Sequence, residues 1–241
     1  MAALLALQNV AKGFGSLRVI DGLTLAVGER EALGVIGPNG AGKTTALNLM
    51  IGRLRPEGGA VVFAGRDVTS APPHARCRAG IALTHQIPHP FDALTVFENV
   101  LVGGVFGAGT SERAAYGPSM AALELTGLAA KANTRAGALT LLERKRLELA
   151  RALATGPRVL LLDEIAGGLG EHEVHELVEV IRLVHGAGVA IIWIEHIVHA
   201  LRSVVSRLAV ISAGRLLMDG GPDEVMASAE VQRVYLGIDV Q

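Results

Sequence analysis

The chain has a single cysteine, Cys77, among its 241 residues, which excludes an internal disulfide framework and fits a reducing compartment. Aromatic residues make up only 3% of it, leaving few platforms on which nucleic-acid bases could stack. There is no long block of like charge, and the formal net charge is −1, so no nucleic-acid partner is expected from bulk electrostatics. No apolar run reaches the ~18 residues that a membrane-spanning helix needs. The first residues, Met1-Ala2-Ala3-Leu4-Leu5, lack a basic start and read as a first strand, not a signal peptide. No internal repeat and no low-complexity linker is present.

What the chain has in quantity is apolar side chain. Half of its residues are hydrophobic and the mean hydropathy is +0.42. A parallel sheet buried on both faces needs continuous apolar strands and would account for this; so would a partner covering apolar surface. Residues 3–10, 19–27, 31–36, 59–64 and 81–84 read as strands, separated by glycine-bearing turns such as Asp21-Gly22 and Gly65-Arg66-Asp67. Between about 88 and 155 leucine and alanine recur at helical spacing in 95–104, 117–129 and 141–154. After that, segments 158–163, 171–185, 188–194, 197–204 and 207–212 alternate strand with helix, the pattern of a mostly parallel sheet with crossover helices.

Two motifs carry chemistry. Gly37-Pro38-Asn39-Gly40-Ala41-Gly42-Lys43-Thr44 meets the pattern G-x-x-x-x-G-K-[ST], with a strand before it and a helix, 44–50, after it. Glycines let successive backbone N–H groups curl inward onto phosphate oxygens, and the helix adds the positive end of its dipole. Lys43 is placed for the β- and γ-phosphates of ATP, and Thr44, followed by Thr45, puts a hydroxyl on Mg²⁺. The second motif, Val159-Leu160-Leu161-Leu162-Asp163-Glu164, is a buried strand ending in two acids. Asp163 suits Mg²⁺, and Glu164 suits the polarisation of an attacking water.

With their spacing, these motifs resemble the ATP-binding subunits of ABC transporters over essentially the whole chain. The resemblance implies a P-loop NTPase core with a mostly parallel sheet (1–87 and 156–241), an N-terminal antiparallel β subdomain, and an inserted helical subdomain at 88–155. It implies that Phe14 stacks on adenine, that Gln86 contacts Mg²⁺ and the water, and that His196 in Ile194-Glu195-His196 contacts the γ-phosphate. Gly168-Leu169-Gly170 matches the loop that crosses to a second ATP-binding subunit. It further implies transmembrane permease partners and a peripheral place on the cytoplasmic face of a membrane. Gln86-Ile87-Pro88-His89-Pro90-Phe91, Leu94-Thr95-Val96-Phe97-Glu98-Asn99-Val100, Arg66-Asp67-Val68-Thr69, Pro72-Pro73-His74 and Val234-Tyr235-Leu236-Gly237 are most similar to the ATPases of branched-chain amino acid importers. A regulatory subunit with low turnover and a soluble non-transport ATPase are the alternatives.

The sequence departs from the family at one place that matters. The family's Leu-Ser-Gly-Gly-Gln signature is replaced by Leu139-Thr140-Leu141-Leu142-Glu143, while the run after it, 144–153, still fits. In the family this segment meets the ATP held by the opposite subunit. Leucines in place of glycines add bulk there, and Glu143 puts an anion where phosphate approaches. Thr140 and Glu143 also have the spacing of a capping box, which would start the helix correctly. Either the ATP contact is weakened, or backbone N–H groups still reach phosphate. The first reading leads to a heterodimer with unequal ATP sites. Ile165 and Ile197 replace a proline and an aspartate usual in the family. His172 and His175 have the wrong spacing for a zinc helix and read as a solvated helix face.

Overall fold

The computed structural model describes residues 3–236. Met1 and Ala2 of the expected first strand and Gly237 of the expected C-terminal match lie outside these residues. The chain divides into two compact units, one formed by residues up to 73 together with those from 190 on, the other by residues 74–189.

The first unit holds β1 (Ala3–Phe14), β2 (Leu17–Gly28), β3 (Ala32–Ile36), α1 (Lys43–Ile51), β4 (Gly58–Phe63) and β5 (Arg66–Asp67). The second holds most of α2 (Pro73–Ala79), then β6 (Ile81–Thr84), α3 (Val96–Val102), α4 (Glu112–Leu125), α5 (Leu141–Leu153), β7 (Val159–Asp163) and α6 (Glu171–Gly186). The chain then returns to the first unit with β8 (Ala190–Ile194), α7 (Val198–Arg202), β9 (Arg207–Ser212), β10 (Arg215–Gly220), α8 (Pro222–Ala227) and α9 (Ala229–Val231).

In the first unit an antiparallel sheet runs β2-β1-β4-β5, pairing Leu5 with Phe63 and Leu7 with Leu25. This is the expected N-terminal antiparallel layer. Alongside it β3 pairs in parallel with both β8 and β9, and β10 closes on β9 antiparallel. All of β3 and β8 is buried, as the unbroken apolar runs predict for strands covered on both faces. In the second unit β6 and β7 pair in parallel, Leu83 opposite Leu161. The helices there close over their own core, with Val96, Val100, Leu123, Leu128, Leu139 and Leu147 all buried.

Several element boundaries moved. The helix expected over 117–129 begins at Glu112, capped by the Ser111 hydroxyl, and ends at Leu125. The 95–104 helix stops at Val102 and continues as a π turn, Gly103–Gly107. Strand β10 was not read from the sequence. It follows a turn in which Ala213 and Gly214 both take positive φ, 47° and 75°, which bends β9 straight back into a hairpin. His172 and His175 lie on the exposed side of α6, as expected; His172 faces Glu176 at 3.2 Å.

Candidate functional site

The phosphate loop is built where β3 runs out at Ile36. Gly37 is packed so closely that a Cβ on it would lie 2.0 Å from the Ile211 carbonyl oxygen of β9. Gly42 caps α1 with φ 101°, and a Cβ there would lie 2.6 Å from Ile20 Cδ1. A side chain at either position would fill the cradle. The loop is tied by Ala41 N–H donating to Pro38 O at 3.2 Å, and by Gly214 N–H donating to Ala41 O at 3.0 Å. Asn39, Gly40 and Thr44 are exposed and Thr45 is half-buried.

Helix α1 has no side-chain cap and no acidic residue in its first turn. Its own first turn therefore offers nothing to offset the positive end, which favours an anion there. Lys43 begins the helix and is buried; its Nζ donates to Gly37 O at 2.8 Å and Pro38 O at 3.1 Å, which folds the ammonium back over the cradle. The residues at 37–45 fit a polyphosphate. In the same unit Phe14 ends β1 half-exposed at 49%, with Lys12 Nζ 5.5 Å from its ring centre. An exposed flat ring beside a cation suits stacking on an electron-rich base. His196 follows β8 and is exposed; its N–H donates to the buried Glu195 carboxylate at 2.9 Å, and its carbonyl accepts from the Tyr235 hydroxyl at 3.4 Å.

In the second unit Asp163 is the half-buried last residue of β7, and Glu164 follows it with φ 47°, a left-handed conformation uncommon for glutamate. Such backbone strain concentrates at functional sites. Gln86, two residues beyond β6, is exposed and its amide donates to Glu164 Oε2 at 2.8 Å. The expectation for Gln86 was metal and water. Here its amide holds the carboxylate. Asp163 and Gln86 offer oxygen donors in this unit, and Thr44 offers a hydroxyl in the first; oxygen is the hard-ligand chemistry that suits Mg²⁺.

The segment at 139–143 resolves into a capped helix start. Thr140 Oγ1 accepts from Glu143 N–H at 3.3 Å, and Thr140 N–H donates to Glu143 Oε2 at 3.0 Å, the reciprocal pair of a capping box. The other carboxylate oxygen pairs with Lys131. The Lys131 ammonium, with the Thr140 backbone N–H, holds the Glu143 carboxyl below its ordinary range against a smaller opposing effect of burial. The anion that the sequence placed against an approaching phosphate is thus neutralised locally and occupies the helix N-terminus itself. The leucines also separate. Leu142 turns inward at 7% exposed, and only Leu141, at 41%, faces out, with a Cβ on Gly168 falling 3.4 Å from its Cδ2. Leu139 is buried in the helical core.

Sequence reasoning missed Lys131, which nothing in the primary structure links to Glu143. It also missed Lys145, buried on α5, whose Nζ donates to Gln86 O at 3.1 Å.

Comparison with known proteins agrees with this geometry. The ABC transporter family profile matches residues 20–167. The branched-chain amino acid transport ATP-binding protein BraF of Pseudomonas aeruginosa is 34% identical over 249 aligned positions, covering 97% of this chain and 98% of that one. The lipopolysaccharide export ATP-binding protein LptB of Haemophilus influenzae is 32% identical over 235 positions, covering 98% of each. Among solved structures, an ABC transporter cassette in its ADP conformation superposes with a TM-score of 0.91 at 26% identity, covering 99% of this chain and all of that one.

Proposed function

The chain belongs to the ABC transporter family of ATP-hydrolysing subunits, and from that premise we propose that it powers uptake of branched-chain amino acids or related small polar solutes, as one half of a heterodimer with unequal ATP sites. Subunits of this family partner with transmembrane components. No helix among the described residues is long and apolar enough to cross a membrane, so a peripheral place on its cytoplasmic face is part of the proposal. So is the assignment of 88–155 as the helical subdomain.

The observation that supports unequal sites is the altered start of α5, with Leu141 exposed and Glu143 in its first turn. In the family this segment completes the ATP site of the opposite subunit. The Glu143 carboxylate, held by the Thr140 N–H and by Lys131, puts an anion at the start of the helix. Leu141 adds an exposed apolar side chain. A partner subunit's ATP would meet the Leu141 side chain and the Glu143 carboxylate there, where the family offers glycines and an amide, whereas the site built on Lys43 depends on the partner's own signature.

Within that proposal the residues divide the work as follows. The cradle at 37–42 and the α1 N-terminus bind the phosphates, Lys43 neutralises charge on the β- and γ-phosphoryl oxygens, and Phe14 stacks on adenine. Thr44, Asp163 and Gln86 would hold Mg²⁺, which supplies charge neutralisation at the phosphates. Glu164 orients the attacking water and accepts its proton, with Gln86 fixing the carboxylate, and His196 stabilises the γ-phosphoryl group. Glu164→Gln is expected to keep ATP binding and abolish turnover; unchanged turnover would remove Glu164 from this role.

The similarity to LptB at 32% favours export of a lipid-linked glycan as the second reading of cargo. Proteoliposomes carrying the assembled complex separate the two. ATPase activity stimulated by leucine and accompanied by labelled leucine uptake supports the first, and stimulation by lipopolysaccharide alone supports the second. Unequal sites fail if the purified chain, alone, hydrolyses ATP at two equivalent sites.

A further inference from the structure

Helix α5 has a second contact with the chemistry, away from its capped start. Lys145, Glu148 and Arg151 recur every three residues along it, and all three engage the segment that follows β6. Lys145 Nζ donates to the Gln86 carbonyl at 3.1 Å. Glu148 accepts from the His85 backbone and faces Arg151 at 3.5 Å. Arg151 Nη1 donates to the His89 carbonyl at 2.7 Å, and its guanidinium lies 5.5 Å from the centre of the Phe91 ring. From the other side, Asn99, fully buried, accepts from Phe91 N–H at 2.8 Å and donates to Phe91 O at 3.1 Å.

Lys145 is the unusual member of this set. It is 1% exposed, and Glu148 is 5% exposed. Burial of an ammonium is costly unless hydrogen bonds hold it, and a neutral residue would pack here at lower cost. Its geometry shows what the cation does. The main chain of Gln86 is fixed to α5 through its carbonyl, and the side chain of the same residue donates to Glu164 Oε2 at 2.8 Å. Two hydrogen bonds therefore connect a buried cation to the carboxylate. Gln86 is itself exposed, so little packing restrains its amide, and the restraint comes from its anchored backbone.

We infer that Lys145 is a positioning residue for ATP hydrolysis: its ammonium fixes the Gln86 main chain so that the Gln86 amide holds the Glu164 carboxylate in orientation. The inference rests on the reading of Glu164 as the base. In this scheme Lys145 acts on the carboxylate through Gln86.

The test is steady-state ATP hydrolysis by the assembled complex carrying substitutions in this chain, with ATP affinity measured separately. Lys145→Met is expected to lower kcat about 10- to 100-fold, the range for small misplacement of a catalytic group, with ATP affinity within about twofold of wild type. Lys145→Arg, which restores a cationic donor, is expected to recover most of the loss. On a Gln86→Ala background, Lys145→Met is expected to add nothing further. Hydrogen exchange at 85–91 should accelerate in Lys145→Met while exchange at 159–163 stays unchanged. Retention of wild-type kcat by Lys145→Met, no recovery in Lys145→Arg, or full additivity with Gln86→Ala overturns the inference. Should Lys145→Met not fold, Lys145→Gln is judged by the same criteria. Glu164→Gln in the same assay separates the two layers: if it keeps turnover, the base assignment fails and the catalytic role of Lys145 with it. Exchange at 85–91 then still reports whether Lys145 holds the loop.

Discussion

The leucines at 141 and 142 replace adjacent glycines of the family signature, yet their surroundings make them unequal, and substitution should show it. Leu142 is 7% exposed. Truncating such a leucine to alanine costs ~2–5 kcal/mol. Glycine in place of alanine adds ~0.8–1 kcal/mol in a helix, so Leu142→Gly should cost roughly 3–6 kcal/mol. Leu141 is 41% exposed, so much of its side chain is already in water. Its remaining burial is worth ~1 kcal/mol, and with the glycine penalty Leu141→Gly should cost roughly 2 kcal/mol. At this chain length 1 kcal/mol moves the thermal midpoint by about 2–4 °C. Leu142→Gly should therefore lower the midpoint by roughly 6–24 °C and Leu141→Gly by roughly 4–8 °C, followed by circular dichroism at a helical wavelength. An equal shift, or a larger one for Leu141→Gly, would refute the inward placement of Leu142. The consequence is functional. Restoring a phosphate-facing surface calls for Leu141→Gly with Glu143→Gln, and that pair, leaving Leu142 in place, should raise turnover at the partner subunit's ATP site.

Other outcomes follow from the same geometry. Gly37→Ala places a Cβ against a main-chain oxygen that cannot swing away, so the loop must shift; about 1–3 kcal/mol of overpacking and a more than roughly tenfold loss of ATP affinity by calorimetry are expected. An unchanged Kd would remove Gly37 from the cradle. Phe14→Ala should weaken ATP roughly three- to tenfold, the worth of one aromatic contact, and leave pyrophosphate binding alone. Equal losses for both ligands would count against adenine stacking. Glu143 has a folded pKa below its unfolded value of about 4.5, chiefly through the Lys131 hydrogen bond. Its contribution is present above that value and disappears as pH falls through the folded pKa. The stability gap between wild type and Glu143→Gln should thus be full at about pH 6 and close on acidification, read from urea midpoints. A gap independent of pH would sink the Lys131 assignment.

Much of the fold was legible because burial on both faces leaves an unbroken apolar run. Residues 31–36 and 159–163 needed no further signal, and the glycine loop joined the first of them to its helix. The start of α4 was not legible, because 112–116 carries charge and only Ala115 turns inward, so no apolar stripe marks it. Strand β10 was hidden for a related reason: it is only half-buried, and its hairpin depends on Ala213 adopting a conformation that alanine rarely takes. At the site, residue types announced the phosphate loop, the two acids and the capping box. Pairings across the sequence did not announce themselves. Lys131 and Lys145 look alike as letters, yet one is half-exposed on the carboxylate of a helix cap and the other is buried on a loop carbonyl. Only the fold distinguishes them.

The segment at 139–143 shows that starting a helix and offering a phosphate-binding surface are separable requirements. A helix start needs its first N–H groups satisfied, and any internal acceptor at the right spacing will do so. A phosphate site needs the same groups left available, with small residues to let the anion close in. Thr140 and Glu143 serve the first requirement with their reciprocal pair of hydrogen bonds, so α5 still forms, still packs Leu139, Leu142 and Leu147, and still presents Lys145 and Arg151 to the loop at 86–91. The second is met poorly, because the Leu141 side chain and the Glu143 carboxylate stand where small neutral residues would let the anion close in. A helix kept intact for its own core and loop, with bulk and charge added on its outward face, is the arrangement on which the proposed heterodimer rests.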